Sequence, residues 1–256
     1  MSDFKFIRFE AREGVANIIF DRPKHNVFNI EMLNEINSVL EGLTKDNEIK
    51  CVVFMARGPS WCAGVDVGDH KPELVDKMIS SFNRVFELIE NIEVPTIAAV
   101  QGACLGGGME AAIACDIIIA SKKAVFGQPE IKLGFFPPYA AIRLPKLIGP
   151  AKAIEVCATG KTYSADDARA MGFVSRSVED EIFVSEVDAY IKEICACSPL
   201  IIRLNKKAVT GNIGKESSKS INDASDLFLN TLMKTEDTLE GIKSFYEKRK
   251  PAWKNR

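Results

Sequence analysis

The sequence predicts an α/β fold, on three observations. Short β-branched apolar runs alternate with segments of helical period through the first 145 of its 256 residues, strand-like runs nearly vanish beyond that point, and turn residues bound each run. Strands are expected at "VANIIF" (15–20), "IKCVVFMA" (49–56), "TIAAVQG" (96–102), "DIIIAS" (116–121) and "AVFG" (124–127). Between them, residues 30–43 place Leu33, Ile36, Leu40 and Leu43 on one helical stripe. Residues 73–92 do the same with Leu74, Met78, Phe82, Val85 and Ile89, so both helices present a face to a core. "GPAKAIEVCATG" reads as a helix closed by Gly160, and "SADDARAMG" opens on a Ser164 to Asp167 capping pattern and stops at Gly172. "FVSRSV" (173–178) is one last strand. From Ser198, with Pro199 at a helix-opening position, the rest reads as helical to the end. The chain therefore divides near residue 200, into a core over 1–199 and a helical region over 200–256. It shows no repeat of fixed length, no low-complexity stretch and no long linker.

Composition narrows the function classes. The chain is 46% apolar and 27% charged with a net charge of −2, which gives no reason to expect nucleic acid as a partner. No apolar run reaches bilayer length and "MSDFKFIRFE" has no secretion-signal character, so a cytoplasmic protein without a membrane partner is expected. Seven cysteines, mostly inside apolar runs, read as buried thiols in a reducing compartment. Two histidines and no paired CxxC leave no metal site to expect.

Chemistry concentrates in "CLGGGMEAAIACD" (104–116), which reads as a strand handing over to a helix through a tight turn. Backbone N–H groups in a helix's first turn lack an intrahelical acceptor and favour negative charge. Glycine at 106, 107 and 108 lets a ligand approach those groups without meeting a Cβ. A tight turn packed with small residues accounts for the same fragment equally well. Gly106, Gly108 and Ala111 also satisfy the dinucleotide fingerprint G-x-G-x-x-A. Against it, "ACL" separates the glycines from the expected strand, and Glu110 would stand beside a doubly charged pyrophosphate.

Two further stretches bear on the site. "SWCAGVD" (60–66) is a small turn after a strand, able to offer another N–H. "FGQPEIKLGFFPP" (126–138) sets Glu130 after a proline among apolar neighbours, where burial raises a carboxyl pKa toward neutrality. A surface carboxylate is the commoner fate of either glutamate.

Five segments, in order, carry a resemblance to the crotonase, or enoyl-CoA hydratase/isomerase, superfamily over essentially the whole chain. "DRPKHNVFNIEML" resembles the family's opening, "CAGVD" its first oxyanion segment, and "GACLGGGMEAAIACD" its second. "FGQPEIKLG" resembles its second acid segment and "KSFYEKRKPAWK" its ending. The resemblance implies a spiral of ββα turns over 1–199 that holds coenzyme A and the active site. It implies a C-terminal region over 200–256 that packs trimers, commonly paired as hexamers. Val65 and Gly107 would grip the thioester oxygen through their N–H groups, Glu110 would orient or deprotonate water, and Glu130 would exchange the proton at carbon. Ala63, Val65, Asp66, Val67 and Gly107 would line the coenzyme A site, and Lys24 would approach its phosphates. Coenzyme A enters as part of the substrate thioester, with no separate cofactor. The basic ending, from Lys243, is either a phosphate contact or a solvated tail.

The chain departs from many short-chain hydratases where they read "PGAGG": here Pro137, Pro138, Tyr139, Ala140 and Ala141 stand. "GVDVGDHKPE" (64–73) and "GFFPPYAA" (134–141) look most similar to cyclic dienoyl-CoA hydratases of anaerobic benzoyl-CoA degradation. Phe135, Phe136 and Tyr139 would suit a flat ring, or serve ordinary packing. The expected activity is reversible hydration of such a thioester, with a short-chain enoyl-CoA hydratase, an isomerase or a hydrolase as alternatives. A member that binds coenzyme A or nucleic acid without catalysis is a further alternative, with the near-neutral charge against RNA and the intact Glu110 and Glu130 against a dead enzyme.

Overall fold

The computed structural model describes residues 4–214 and 217–256. The chain runs through β1 (Ile7–Arg12), β2 (Val15–Phe20), α1 (Ile30–Leu43), β3 (Cys51–Ala56), β4 (Ser60–Cys62), α2 (Val75–Asn91), β5 (Thr96–Val100), β6 (Ala103–Leu105) and α3 (Gly107–Ala114). It continues through β7 (Ile117–Ser121), β8 (Val125–Gly127), α4 (Pro138–Ile148), α5 (Pro150–Thr159), β9 (Thr162–Ser164), α6 (Ala165–Met171), β10 (Arg176–Val178) and α7 (Phe183–Cys195). Helices α8 (Pro199–Thr210), α9 (Ser217–Asn230) and α10 (Glu236–Glu247) follow.

The strands make two sheets. One has six strands in the order β1-β2-β3-β5-β7-β10, and the other has four in the order β4-β6-β8-β9. In the larger sheet only the β1–β2 pair is antiparallel; in the smaller, β9 runs against β8. Each pass of the chain lays one strand in the larger sheet, one in the smaller, and then a helix. The passes start at residues 51, 96 and 117, and they differ in length because α2 has 17 residues and α3 only 8. A spiral of unequal turns leaves no fixed period in the sequence.

The predicted stripes of α1 and α2 are buried together in the main core, except that Leu74 stands just before α2. On the other face of the larger sheet, Cys51, Val53, Ile97 and Ile119 pack against Phe183 and Val187 of α7. Burial on both faces explains why these strands read as continuous apolar runs. The capping box at Ser164 and the left-handed Gly160 and Gly172 form as expected. Helix does not continue to the end: α10 stops at Glu247, and the irregular tail is held by buried Asp237, whose carboxylate accepts from the N–H groups of Lys254 (2.6 Å) and Asn255 (3.0 Å). Of the cysteines, 51, 62, 104 and 115 are buried, 157 and 195 are half-buried, and Cys197 is exposed, contrary to the expectation for the set.

Candidate active site

The glycine run does three separate jobs at the β6–α3 junction. Gly106 takes φ +52° and ψ −129°, a conformation that disfavours any side chain, and a Cβ there would lie 2.5 Å from Glu130 Oε1. At Gly107 a Cβ would meet Val65 Cγ2 at 2.5 Å and Phe82 Cζ at 2.9 Å. At Gly108 it would lie 2.3 Å from the Cys62 carbonyl oxygen. Each missing methyl group lets a different element close in, and Glu130 and Val65 arrive in the site for that reason.

Val65 is aimed by a short parallel pairing with residues 25–28. The Phe28 N–H donates to the Gly64 carbonyl (2.8 Å) and the Asp66 N–H to the Phe28 carbonyl (2.8 Å). Backbone groups alternate in direction along an extended strand, so the Val65 N–H faces away from Phe28. Neither the Val65 nor the Gly107 N–H has a hydrogen-bond partner among the described residues. Both residues line one cavity, and Gly107 opens helix α3.

Glu110 lies in the first turn of α3 and is only 2% exposed. Its Oε1 accepts from the N–H groups of Tyr139 (2.8 Å) and Ala140 (2.9 Å), in the first turn of α4. Those bonds favour the charged carboxylate, yet burial outweighs them, and with Glu130 nearby it pushes the pKa up to about 7. Glu130, in the short 3-10 turn Pro129–Leu133, is likewise pushed by burial to about 7. With its amide nitrogen facing Glu130, buried Gln128 donates to both carboxylate oxygens, at 3.0 and 3.2 Å. Two interacting carboxyl groups that titrate near 7 share protons as a pair, so one can be acid while the other is base.

The raised Glu110 pKa has a consequence for stability. The folded chain holds this proton more tightly than the unfolded chain does, so the associated stability is complete below about pH 4.5. It is lost as pH rises from there through about 7. Glu110→Gln keeps a side-chain acceptor and removes the buried charge. Thermal unfolding should therefore show the variant more stable than wild type by about 2–3 kcal/mol at pH 8, with the gap narrowing toward pH 5. An equal gap at both pH values would contradict the assigned burial cost.

Ala63, Val65, Val67, Gly107, Glu110 and Glu130 all line one cavity of about 420 Å³. Phe82, Phe135 and Phe136 make much of its apolar wall, and Val67, Leu133 and Phe136 stand exposed at its mouth. Two expected site residues lie outside it. Asp66 uses its carboxylate to bind Arg22 (3.1 Å) and to accept from the Gly68 N–H (3.0 Å), bracing the segment that carries Val65. Lys24 is exposed, next to His25, whose carbonyl accepts from the Ala63 N–H at 3.0 Å. Tyr139 does not line the cavity: its ring stacks on Phe86 at 3.9 Å and its hydroxyl donates to Glu90 (2.7 Å). His70, overlooked in the sequence, does line it, 5.1 Å from the Phe135 ring and with Nδ1 3.0 Å from the Asp66 carbonyl. A second, more polar hollow of about 530 Å³ between α1 and α2 contains none of the candidate residues.

Contrary to the expectation, "ACL" does not separate the glycines from a strand: those residues are β6 itself, and the glycines follow it directly. What disfavours a pyrophosphate here is the place it would need, occupied by the Glu130 carboxylate against Gly106, with Glu110 buried one turn on.

Comparison with known proteins places the chain in a family over nearly its whole length. The family model described as enoyl-CoA hydratase/isomerase matches residues 10–256. The chain is 34% identical over 256 residues to a probable enoyl-CoA hydratase of Mycobacterium bovis, covering 99% of each chain. It is 34% identical over 254 residues to the short-chain-enoyl-CoA hydratase of Clostridium acetobutylicum, covering 96% of this chain and 97% of the other. The crystal structure of an enoyl-CoA hydratase from Bacillus anthracis superposes with a TM-score of 0.93 at 28% identity, covering 98% of this chain and 100% of that one.

Proposed function

The chain belongs to the enoyl-CoA hydratase/isomerase family, and on that premise we propose that it hydrates a conjugated unsaturated acyl-CoA reversibly in the cavity between Val65, Gly107, Glu110 and Glu130. The observation that supports this most directly is that buried Glu110 and half-buried Glu130 line one cavity, each pushed by burial to about 7, together with two N–H groups that have no partner among the described residues. The thioester carbonyl would accept from Val65 and Gly107. Glu110, fixed through Oε1, would take a proton from water as the water attacks the β-carbon. The electron pair of the double bond would move onto the carbonyl oxygen, giving an enolate held by the two donors. Glu130 would then deliver a proton to carbon, and the reverse sequence dehydrates the product. The donors matter most once negative charge has developed, so they lower the barrier rather than only tightening binding.

Coenzyme A would follow the Ala63 to Val67 segment, with Lys24 near its phosphates. The exposed position of Lys24, beside the residue paired to Ala63, supports that placement. Exposed Leu239, Phe245 and Tyr246 on α10 support a homo-oligomer packed through the C-terminal region.

The acyl group we assign is a flat ring, cyclohexa-1,5-diene-1-carbonyl. Support comes from the likeness of residues 64–73 and 134–141 to cyclic dienoyl-CoA hydratases and from the aromatic wall of Phe82, Phe135 and Phe136. In the dienolate Glu130 would protonate the far carbon. A short linear acyl group is the second reading, favoured by the likeness to the Clostridium protein. Turnover of cyclohexa-1,5-diene-1-carbonyl-CoA and crotonyl-CoA by wild type decides between them. The ring assignment expects the higher kcat/KM on the diene, and a preference for crotonyl-CoA replaces it with the linear one. If neither thioester gains water, hydration itself is displaced by isomerase or hydrolase chemistry.

A further inference from the structure

We propose that Tyr139 is a positioning residue for Glu110, acting through the first turn of α4; the inference rests on the hydratase reading above. Glu110 is held by two backbone N–H groups, those of Tyr139 and Ala140, so its direction depends on where that turn sits. The turn has no side-chain cap and enters through Pro137 and Pro138. What fixes it is the Tyr139 side chain, clamped to two residues of α2 one helical turn apart. The ring stacks on Phe86 at 3.9 Å with planes 16° apart, and the hydroxyl donates to Glu90 Oε1 at 2.7 Å.

The brace is continuous with the cavity wall, because Phe86 packs edge-on against Phe82 at 4.5 Å. One turn further along α4, Arg143 Nε donates to the Ile113 carbonyl (3.1 Å) on α3, the helix that carries Glu110. Helix α4 is therefore tied to α2 at its first turn and to α3 at its second. At 6% exposure and outside the cavity, Tyr139 touches no substrate, and its effect must pass through the Glu110 carboxylate.

Loosening the clamp weakens two bonds to the charged form of Glu110, which makes that carboxyl harder to ionise. The titratable groups around Glu110 are Glu130 and Cys157, and those around Tyr139 are Glu90, Arg143 and Cys115. None of these is changed by a substitution at 139.

The test compares Tyr139→Phe, Tyr139→Ala and Glu90→Gln with wild type on the better of the two thioesters. Tyr139→Phe keeps the stack and loses the Glu90 bond; it should lower kcat several-fold with KM unchanged. Tyr139→Ala should lower kcat by about ten- to a hundredfold and move the acid limb of the pH–rate profile to higher pH. Glu90→Gln retains an acceptor for the hydroxyl and should stay near wild type. The Glu110 titration is also followed directly by carbon-13 NMR of glutamate-labelled protein, assigned by its loss in Glu110→Gln. An upward shift in Tyr139→Ala supports the inference. Unmoved Glu110 titrations and unmoved kcat in both Tyr139 variants, with only thermal stability lowered, would overturn it. The NMR arm needs no turnover, so loss of the hydratase reading would be seen separately, as wild type failing to hydrate either thioester.

Discussion

Glu130→Gln should lower kcat for hydration by about a hundred- to ten-thousandfold while leaving KM within a few-fold. The amide fills the same volume against Gly106, but it can neither deliver nor accept the proton at carbon. Gln128 sharpens the expectation: its amide nitrogen donates to the wild-type carboxylate, and it can still donate to the substituted amide oxygen, so the turn Pro129–Leu133 stays in place. Wild type should show a pH–rate profile with limbs on both sides of about 7, because the Glu110 and Glu130 pair must hold one proton and lack the other. A Glu130→Gln enzyme with unchanged kcat would remove that residue from the chemistry.

Gly107→Ala carries the second large effect, with kcat expected to fall by about a hundred- to a thousandfold. The new methyl group would lie 2.5 Å from Val65 Cγ2 and 2.9 Å from Phe82 Cζ. Both neighbours must yield, and moving Val65 displaces one of the two N–H groups proposed to hold the thioester oxygen while the Gly107 N–H itself shifts. On the proposed mechanism the loss should appear in kcat far more than in KM, because the donors would act on the enolate. Gly42 in α1 is the control: a Cβ there meets nothing within 4 Å, so Gly42→Ala should leave kcat unchanged. Equal kcat for Gly107→Ala and wild type would show that this N–H is not a catalytic donor.

The larger features of the fold were legible where the chain obeys a period. Strands β2, β3, β5 and β7 and helices α1 and α2 announce themselves by runs and stripes long enough to carry one, and β8 was legible only as a short apolar run between turns. Strands β4 "SWC", β6 "ACL" and β9 "TYS" have three residues each, too few to show alternation, and they owe their pairing to partners elsewhere in the chain. Strand β1 does alternate, with Ile7, Phe9 and Ala11, but its charged neighbours disguise an edge strand. Helix α7 was missed altogether between the last predicted strand and Ser198.

The site was legible as residue types rather than as directions. Three consecutive glycines point to a close approach, but only the fold shows that Glu130, Val65 and Cys62 are what approach. That the Val65 N–H is left without a partner among the described residues depends on pairing with Phe28, far back in the chain, and nothing local signals it. The sequence leaves Tyr139 either against a ring in the pocket or in ordinary packing. The structure selects packing: α4 begins at Pro138 and turns the ring toward Phe86 of α2, while the Tyr139 N–H donates to Glu110.

The central claim is that Glu110 and Glu130 add solvent water across a double bond through an oxygen-held enolate. Mass spectrometry of crotonyl-CoA and cyclohexa-1,5-diene-1-carbonyl-CoA after incubation in deuterated, heavy-oxygen water tests it most directly. At least one thioester should gain both a solvent oxygen and a solvent deuterium on carbon, and the gain should vanish in Glu110→Gln and Glu130→Gln. Deuterium gained without oxygen, or heavy oxygen appearing only in a free acid released from coenzyme A, would contradict the hydration mechanism.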